Sequence, residues 1–418
     1  MPSPHKRNSR DYDDEDDYYD REMRDRGSSS CCSCTKFIVF LVFLGASVGA
    51  IFGFVELDQI ENFFTGGSSG GGDSGGDDGG GGASDPVFQF MQCPETGNCC
   101  NGLESNCNLD VNEVFFAAVH NANHDDILIP NNEAPLEGAL EAGYRGLLLD
   151  VCKCPNAETN TMEITFCHGV CGVGPRDLTE VFTNINTFLT DNPSELIIVN
   201  FEMSVGDATP EEVWEIMKTD NGVRQKTYNH AGGDWPTMGE LLADGKQLIL
   251  FEHNHNENCS DPTNPGCSPR IETFFNHAVE TTWVFSNVEE INDYDRSCAE
   301  DRGSGGLKYF YSINHFGKEE MFVPNCECLQ KHLSNLCISS LVTATFGPSK
   351  SSADVLNEID SINNRVTACE KITKNKVSIF SVDFWQRGHL PEVAQTINKS
   401  RGKRRRNKRS RFLQWMLE

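Results

Sequence analysis

Val114-Phe-Phe-Ala-Ala-Val-His120-Asn121 is a short apolar run that ends on a histidine and an amide. Three further apolar runs end on an acid or a histidine: Arg145-Gly-Leu-Leu-Leu-Asp150, Ile164-Thr-Phe-Cys-His168-Gly169 and Leu196-Ile-Ile-Val-Asn-Phe-Glu202. Parallel β-barrels carry their active sites at the C-terminal ends of the strands, because those ends converge on one face. The four runs therefore predict a barrel whose mouth collects two histidines and two acids.

The region 113–398 alternates apolar stretches with helical ones. Asp177-Leu-Thr-Glu180 is typical of a capping box that begins a helix, Pro210 begins another, and Ala353–Ile372 predicts a long helix. This alternation predicts an α/β fold, a (β/α)₈ TIM-type barrel that is irregular around strands 2 and 3, where the crossover is too short for a helix. The predicted strands lie near residues 114–119, 145–151, 163–167, 196–202, 247–252, 281–286, 309–314 and 377–384.

The charge balance is acidic, with 35 Lys and Arg against 62 Asp and Glu. Because the acidic excess is spread over the body of the chain, no nucleic-acid partner is expected for the folded part. The exception is the stretch 399–411, where nine of thirteen positions are Lys or Arg. One interpretation places this stretch on an anionic membrane surface, with Leu413 and Trp415 inserted. A dibasic processing site and a disordered tail are the alternatives.

A transmembrane helix is predicted at Phe37–Val55, nineteen positions without a charge. Lys36 precedes it and Glu56 follows it, which puts the N-terminus in the cytoplasm by the positive-inside tendency. The 36 residues before it are long for a cleaved signal peptide, which is the alternative. We therefore expect a single-pass membrane protein whose catalytic domain is lumenal or extracellular.

Five segments follow from these features. They are a disordered cytoplasmic tail at 1–36, a transmembrane helix at 37–55 and a glycine-rich linker at 56–85. A barrel domain at 86–398 and a basic tail at 399–418 follow.

Cysteine is abundant, with eighteen in the chain and fifteen beyond the predicted span. In an oxidising compartment these predict disulfides. We expect one from Cys152 or Cys154 to Cys167 or Cys171; a zinc site at these four is the alternative. Three others precede the span and are candidates for palmitoylation or free thiols: Cys31, Cys32 and Cys34. Two glycosylation sequons begin at Asn258 and Asn398.

Acid–base chemistry is the expected use of His120 and His168, since imidazole gains and loses protons near neutral pH. The oxygen donors Asn121, Asp150 and Glu202 suit a hard cation such as Ca²⁺ or Mg²⁺, which would stabilise charge on a phosphoryl oxygen.

Residues other than the polar ends of the four runs carry further predictions. Asp383 lies on the last strand, next to the first in a closed barrel, and would orient His120; a purely structural carboxylate is the alternative. Glu252 and His253 end another strand and are candidates to line the substrate pocket. Arg145 precedes its apolar run and is interpreted as a salt-bridge residue at the barrel bottom rather than a phosphate ligand.

Four blocks in this order resemble the X domain of phosphatidylinositol-specific phospholipase C, and more closely the single-domain X-domain-containing phosphodiesterases. The blocks are His120-Asn121, Gly143–Asp150, Phe166–Gly169 and Asn192–Glu202, and the closing strand Val377–Trp385 is also similar. The resemblance covers about 111–398 and is most specific at 118–203.

The resemblance implies a phosphoric diester hydrolase that acts on a phospholipid at a membrane. His120 would be the base that activates the inositol 2-hydroxyl, or would stabilise the transition state, and His168 would protonate the leaving diacylglycerol oxygen. The positions of Asn121, Asp150 and Glu202 match those that hold Ca²⁺ in eukaryotic relatives. Leu148 stands where those relatives have a second acid, which implies a weaker Ca²⁺ site because affinity follows ligand charge.

Two other functions remain open from the sequence. A glycerophosphodiesterase or phospholipase D-like lyase would use the same barrel and two histidines, but it expects a fuller acidic pair than Leu148 and Asp150 supply. A catalytically inactive domain that binds lipid or glycan is the third, and the presence of both histidines argues against it.

Overall fold

The computed structural model describes residues 90, 93, 98–123, 130–156, 159–168, 171, 175–205, 208–253, 267–283, 285–303, 310–328 and 337–417. The predicted cytoplasmic tail, transmembrane span and linker, and the sequon at Asn258, lie outside these residues. The chain divides into two units, one of residues 88–321 with 346–418 and the other of 1–87 with 322–345. In the second unit the described residues belong to a two-stranded sheet.

A nine-stranded, mainly parallel sheet forms the centre of the first unit. Its strands run in the order β6-β5-β4-β2-β1-β11-β8-β7, and β3 pairs antiparallel with β2. The sheet is therefore a curled parallel α/β half-barrel, in keeping with the predicted TIM-type architecture. The strands are β1 Phe116–Val119, β2 Gly146–Pro155, β3 Met162–Phe166, β4 Ile197–Val205, β5 Leu248–His253, β6 Glu272–Thr273, β7 Ala278–Glu280, β8 Phe310–Asn314 and β11 Ile379–Val382. The two-stranded sheet pairs β9 Lys318–Cys328 with β10 Cys337–Pro348.

The strands are buried on both faces, which explains their nearly continuous apolar sequences. Along β2 the odd positions Leu147 and Leu149 join the larger core cluster, which packs against the helices. The even position Leu148 joins a second cluster with Ile198 and Phe251 from neighbouring strands. Because side chains alternate along a strand, this second set defines the inner face of the curled sheet.

The irregularity predicted around strands 2 and 3 is confirmed, and one predicted strand is wrong. The third strand folds back on β2 as an antiparallel hairpin, because the connection is too short for a crossover helix. The strand predicted at 281–286 is wrong: β7 ends at Glu280. Glu280 is buried and pairs with Arg302 and with Ser312, which lies on β8, the strand next to β7. The β9–β10 sheet was not predicted.

Most predicted helices are present, with local caps. Asp177 accepts a bond from the Glu180 backbone N–H, and Thr209 forms a full capping box with Glu212. The helix predicted at 353–372 is two helices, which break at Asn357. The helices are α1 Leu136–Glu141, α2 Leu178–Asp191, α3 Pro210–Met217, α4 Asn221–Lys226, α5 Met238–Ala243, α6 Phe274–His277, α7 Val288–Asn292, α8 Tyr294–Ser297, α9 Lys350–Leu356, α10 Ile359–Thr373 and α11 Leu390–Leu417. Two 3₁₀ helices, Asn106–Asn108 and Val111–Glu113, precede β1.

Disulfides are present, as the cysteine content predicts. The four cysteines beside the third apolar run form two bonds, Cys152–Cys167 and Cys154–Cys171, so the zinc alternative is wrong. The other described bonds are Cys93–Cys99, Cys100–Cys107 and Cys298–Cys369. Cys267 is also disulfide-bonded.

Helix α11 runs through the boundary that the sequence predicts at residue 398. Arg401 is buried and bonds to Glu370 and to the Val377 carbonyl, so the disordered alternative for the basic tail is wrong at this point. The sequon at Asn398 is an unsuitable glycan acceptor, because its buried side chain exchanges two hydrogen bonds with the backbone of Phe115, at 2.8 and 2.9 Å.

No helix within the described part of the chain has the length and apolarity needed to cross a bilayer.

Candidate active site

Polar side chains occupy the inner face of the sheet at the C-terminal ends of its strands. Asp150 lies two positions beyond Leu148 on β2, and Glu202 and His253 hold the corresponding places on β4 and β5. Asp150 and Glu202 are register partners, as are Glu202 and His253. His120 and Asp383 follow the ends of the adjacent strands β1 and β11. The convergence predicted from the four apolar runs is thus a feature of this sheet.

His120 is buried and bonds to Asp383. Its Nδ1 lies 2.8 Å from Asp383 Oδ1, the contact expected from adjacent first and last strands. An ionised carboxylate only accepts hydrogen bonds, so Nδ1 carries the proton and Nε2 presents a lone pair. Nε2 is buried without a hydrogen-bond partner among the described residues. The ring is held between Phe316, stacked at 4.0 Å, and the edge of Trp283, so its orientation is fixed on both sides.

Asn131, which no sequence pattern predicted, extends this pair into a network. Its Nδ2 donates to Asp383 Oδ1 at 2.9 Å, and its Oδ1 accepts from Asn121 Nδ2 at 3.3 Å. Asp383 needs a donor, which fixes the orientation of the Asn131 amide and, in turn, that of Asn121. The only sequence signal was an Asn-Asn pair in a loop, a composition common to many turns.

The backbone around both strand ends is fixed as well. Asn132 Nδ2 donates to the carbonyl oxygens of His120 and Asn121, at 3.1 and 3.0 Å. Asn121 has φ of 46°, a left-handed conformation that asparagine adopts more readily than most residues. Asn357, at the break between α9 and α10, donates to the Asp383 carbonyl at 2.9 Å.

His168 comes to the same mouth from the β2–β3 hairpin. Its Nε2 lies 3.3 Å from Asn121 Nδ2, so a chain of contacts joins the two histidines through Asp383, Asn131 and Asn121. Because Nδ2 bears hydrogens, His168 Nε2 accepts and the ring proton is on Nδ1. Burial, with the nearby His120 adding to it, lowers the pKa of His168 to about 4 against the opposing effect of Asp383. His168 is therefore uncharged at neutral pH without substrate.

The three predicted oxygen donors lie at the ends of β1, β2 and β4: Asn121, Asp150 and Glu202. Burial raises the pKa of Glu202, but His253 at 3.5 Å and Arg302 more than offset this and hold it at about 2. Asn121 Oδ1 is buried without a hydrogen-bond partner among the described residues. With Asp150 these groups fit a hard cation in donor chemistry.

Two positions before Asp150 on the same face of β2, Leu148 is buried in the inner apolar cluster. Within the described residues no group of three or more His, Cys, Asp and Glu side chains is arranged to hold a metal.

The wall of the mouth was only partly predicted. His253 lies beside Glu202 at this edge of the sheet, whereas Glu252 alternates to the other face of β5. Arg302, bonded to Glu280, lies over the Trp283 ring at 4.9 Å and adds a cation near Glu202. Arg145 lies at the opposite end of β2, where its Nε donates to Glu195 at 2.7 Å, so its interpretation as a salt-bridge residue is confirmed.

The comparison with known families decides the assignment. Residues 106–398 match the PI-PLC X domain family. The chain belongs to this family. The PI-PLC X match covers well over half of the sequence and contains all the mouth residues described above, so the resemblance seen in the four apolar runs is confirmed.

Relatives of this PI-PLC X chain are distant in sequence. PI-PLC X domain-containing protein 1 of Arthroderma benhamiae is 24% identical over 311 residues, which cover 72% of this chain and 89% of the relative. The solved phosphatidylinositol-specific phospholipase C of Listeria monocytogenes is 13% identical with a TM-score of 0.45, and covers 74% of this chain and 97% of that one. The Staphylococcus aureus enzyme gives 13% identity, a TM-score of 0.42, and coverage of 69% and 93%.

Proposed function

We propose that this protein cleaves the phosphodiester of a phosphoinositide-type phospholipid, with His120 and His168 as the acid–base pair. The observation that carries the proposal is the pair of imidazole rings at one end of the sheet, each with Nε2 as its unprotonated nitrogen. His120 is oriented by Asp383, as the base of a hydroxyl nucleophile needs to be.

The chemistry takes two proton transfers. His120 Nε2 removes the proton of the inositol 2-hydroxyl as that oxygen bonds to phosphorus, and the bond from phosphorus to the diacylglycerol oxygen breaks. His168 gives the leaving oxygen its proton. An anionic phosphodiester beside His168 favours the charged form of that ring, so in the complex His168 can take up from solvent the proton that it later gives to the leaving oxygen. Water can then open the cyclic phosphate by the reverse transfers.

A cation would assist this reaction, in our proposal, through Asp150, Glu202 and Asn121 Oδ1. Bound Ca²⁺ would stabilise charge on the phosphoryl oxygens. Its affinity is expected to be low because Leu148 replaces a carboxylate. The charge of Arg302 beside Glu202 opposes the binding of a cation further.

The test is turnover of phosphatidylinositol in mixed micelles by the full chain and by His120→Ala and His168→Ala. Each substitution removes a proton-transfer group, so we expect losses of about 10²–10⁴-fold. The matched control is His389→Ala, a half-exposed histidine outside the mouth. Wild-type rates in both mouth variants would show that the assignment is wrong. Turnover of glycerophosphodiesters or lysophospholipids, with none of phosphatidylinositol, would favour the glycerophosphodiesterase or lyase alternative.

A further inference from the structure

The basic stretch of α11 packs against the domain, and some of its exposed cations form no ion pair with it. Two of its arginines face inward: Arg401 donates to the carbonyls of Glu113 and Val377, and Arg405 to the side chains of Glu113 and Asp110. Gly402 packs so closely on Ser105 that a Cβ there would lie 2.3 Å from the Ser105 Cβ. The register of the helix on the domain is therefore fixed.

The outward residues of the same helix turns are cationic. Lys399, Lys403 and Arg406 are exposed, and their spacing of four and three residues puts them on one helix face. Arg404 is also exposed but lies about 100° round the helix from Lys403. None of the four has an ion-pair partner among the described residues. The row of Lys399, Lys403 and Arg406 is called the basic stripe below. It stands out in a chain of net charge −27.

The basic stripe lies at the end of the sheet remote from the histidines. The anchors Glu113 and Val377 precede β1 and β11, whereas His120 and Asp383 follow the same strands. The strand β1 alone, Phe116–Val119, separates its two ends by about 13 Å. Ser105, which contacts Gly402, belongs to the segment by which the chain enters the domain, so entry segment and stripe share one end.

We propose that the basic stripe docks the domain on an anionic membrane surface. The helix continues to Leu417 through Phe412-Leu-Gln-Trp-Met-Leu417, so apolar and aromatic residues follow the cations directly. Clustered Lys and Arg residues are attracted to anionic lipid head groups, and a Trp residue that follows them favours the membrane–water interface. A purely polar polyanion would not require this apolar continuation. The site is independent of the proposed catalysis, since it lies at the other end of the strands.

The experiment uses the full chain in nanodiscs of neutral phosphatidylcholine, mixed with separate vesicles and tested by flotation. We expect binding to vesicles with 30% phosphatidylglycerol and none to pure phosphatidylcholine, and loss of binding at high salt. In Lys399→Gln/Lys403→Gln/Arg406→Gln the affinity should fall on the order of a hundredfold, since each cation near an anionic surface contributes roughly fivefold. Phosphatidylinositol turnover in mixed micelles should stay unchanged in this variant.

The matched control removes three cations from other elements, Lys218→Gln/Arg224→Gln/Arg296→Gln, and should keep full vesicle binding. Equal loss in the control would show a non-specific charge effect and overturn the proposal. Equal binding to neutral vesicles would also overturn it. Binding of dextran sulfate without binding of anionic vesicles would assign the stripe to a polyanionic polymer instead.

Discussion

The two histidines of the mouth are supported in different ways. His120 is held by hydrogen bonds and ring stacking: Asp383 binds its Nδ1, Asn131 binds Asp383, and Phe316 covers its face. His168 directly follows Cys167, on an antiparallel hairpin closed by two disulfides. The difference is that His120 is oriented by side-chain hydrogen bonds and ring stacking alone, while the chain just before His168 is also fixed by covalent cross-links. Replacing Asp383 should therefore act first on His120, and removing a cross-link should act first on His168.

Replacing Asp383 should have the largest effect. Asp383→Asn keeps the size of the side chain but removes the acceptor that holds the His120 proton on Nδ1, so the lone pair on Nε2 is lost in the favoured tautomer. We expect kcat for phosphatidylinositol to fall about 10³–10⁴-fold, by analogy with a serine-protease triad. The measurement is steady-state turnover with Asp354→Asn as a control; a loss under tenfold would contradict the role of Asp383.

Asn131 should rank second, because it acts through Asp383 and Asn121. Asn131→Ala leaves the carboxylate one donor short, and we expect kcat to fall about 10–100-fold, in the range seen for outer-shell partners of active groups. KM should change little, and the pH profile of kcat should shift because the Asp383–His120 pair loses a donor. A variant with normal kcat, or one that changes KM alone, would show that Asn131 is only structural.

Removing the Cys152–Cys167 bond should test the other side of the comparison. Cys152→Ala/Cys167→Ala loosens the hairpin before His168, and we expect a loss of about 2–4 kcal/mol in stability together with reduced kcat. The control is Cys298→Ala/Cys369→Ala, a disulfide between the α8 end and α10. It should lose comparable stability but keep kcat at temperatures where it is folded. Equal kcat losses in both would mean that the hairpin cross-link has no special relation to His168.

Calcium dependence should give the smallest effect. With two carboxylates and one amide, and Arg302 nearby, we expect a weak site that needs Ca²⁺ near 10⁻⁴–10⁻³ M, the range of low-affinity sites. EGTA should lower turnover, millimolar Ca²⁺ should restore it, and Glu202→Gln should raise the Ca²⁺ concentration required. Full activity in EGTA would remove the cation from the mechanism and leave the histidine pair intact.

The strand-end residues could be predicted from the sequence because an apolar run that stops at a histidine or acid is typical of a buried parallel strand that ends in a polar cleft. His120, Asp150 and Glu202 lie on the inner face for that reason. The same rule also predicted Glu252 on the inner face. Because side chains alternate along a strand, Glu252 lies on the opposite face from its neighbour His253. The strand expected at 281–286 is wrong because the strand lies just before it, at Ala278–Glu280, where the buried Glu280 interrupts the apolar pattern.

Contacts between residues that are distant in sequence could not be predicted from the sequence. Asn131 joins the site only through bonds to Asp383 and Asn121, and no local pattern marks it. The role of Arg401 in fixing α11 was hidden for the same reason: its partners Glu113, Glu370 and Val377 are remote in sequence. A basic stretch looks the same whether its arginines are solvated or buried against acids and carbonyls.

The most direct test of the central claim is to follow the products from phosphatidylinositol by ³¹P NMR. Attack by the inositol 2-hydroxyl, with His120 as base and His168 as acid, predicts an inositol 1,2-cyclic phosphate signal that appears first, together with diacylglycerol. Formation of phosphatidic acid and free inositol would mean that the other phosphodiester bond breaks, and would contradict this account of the two histidines.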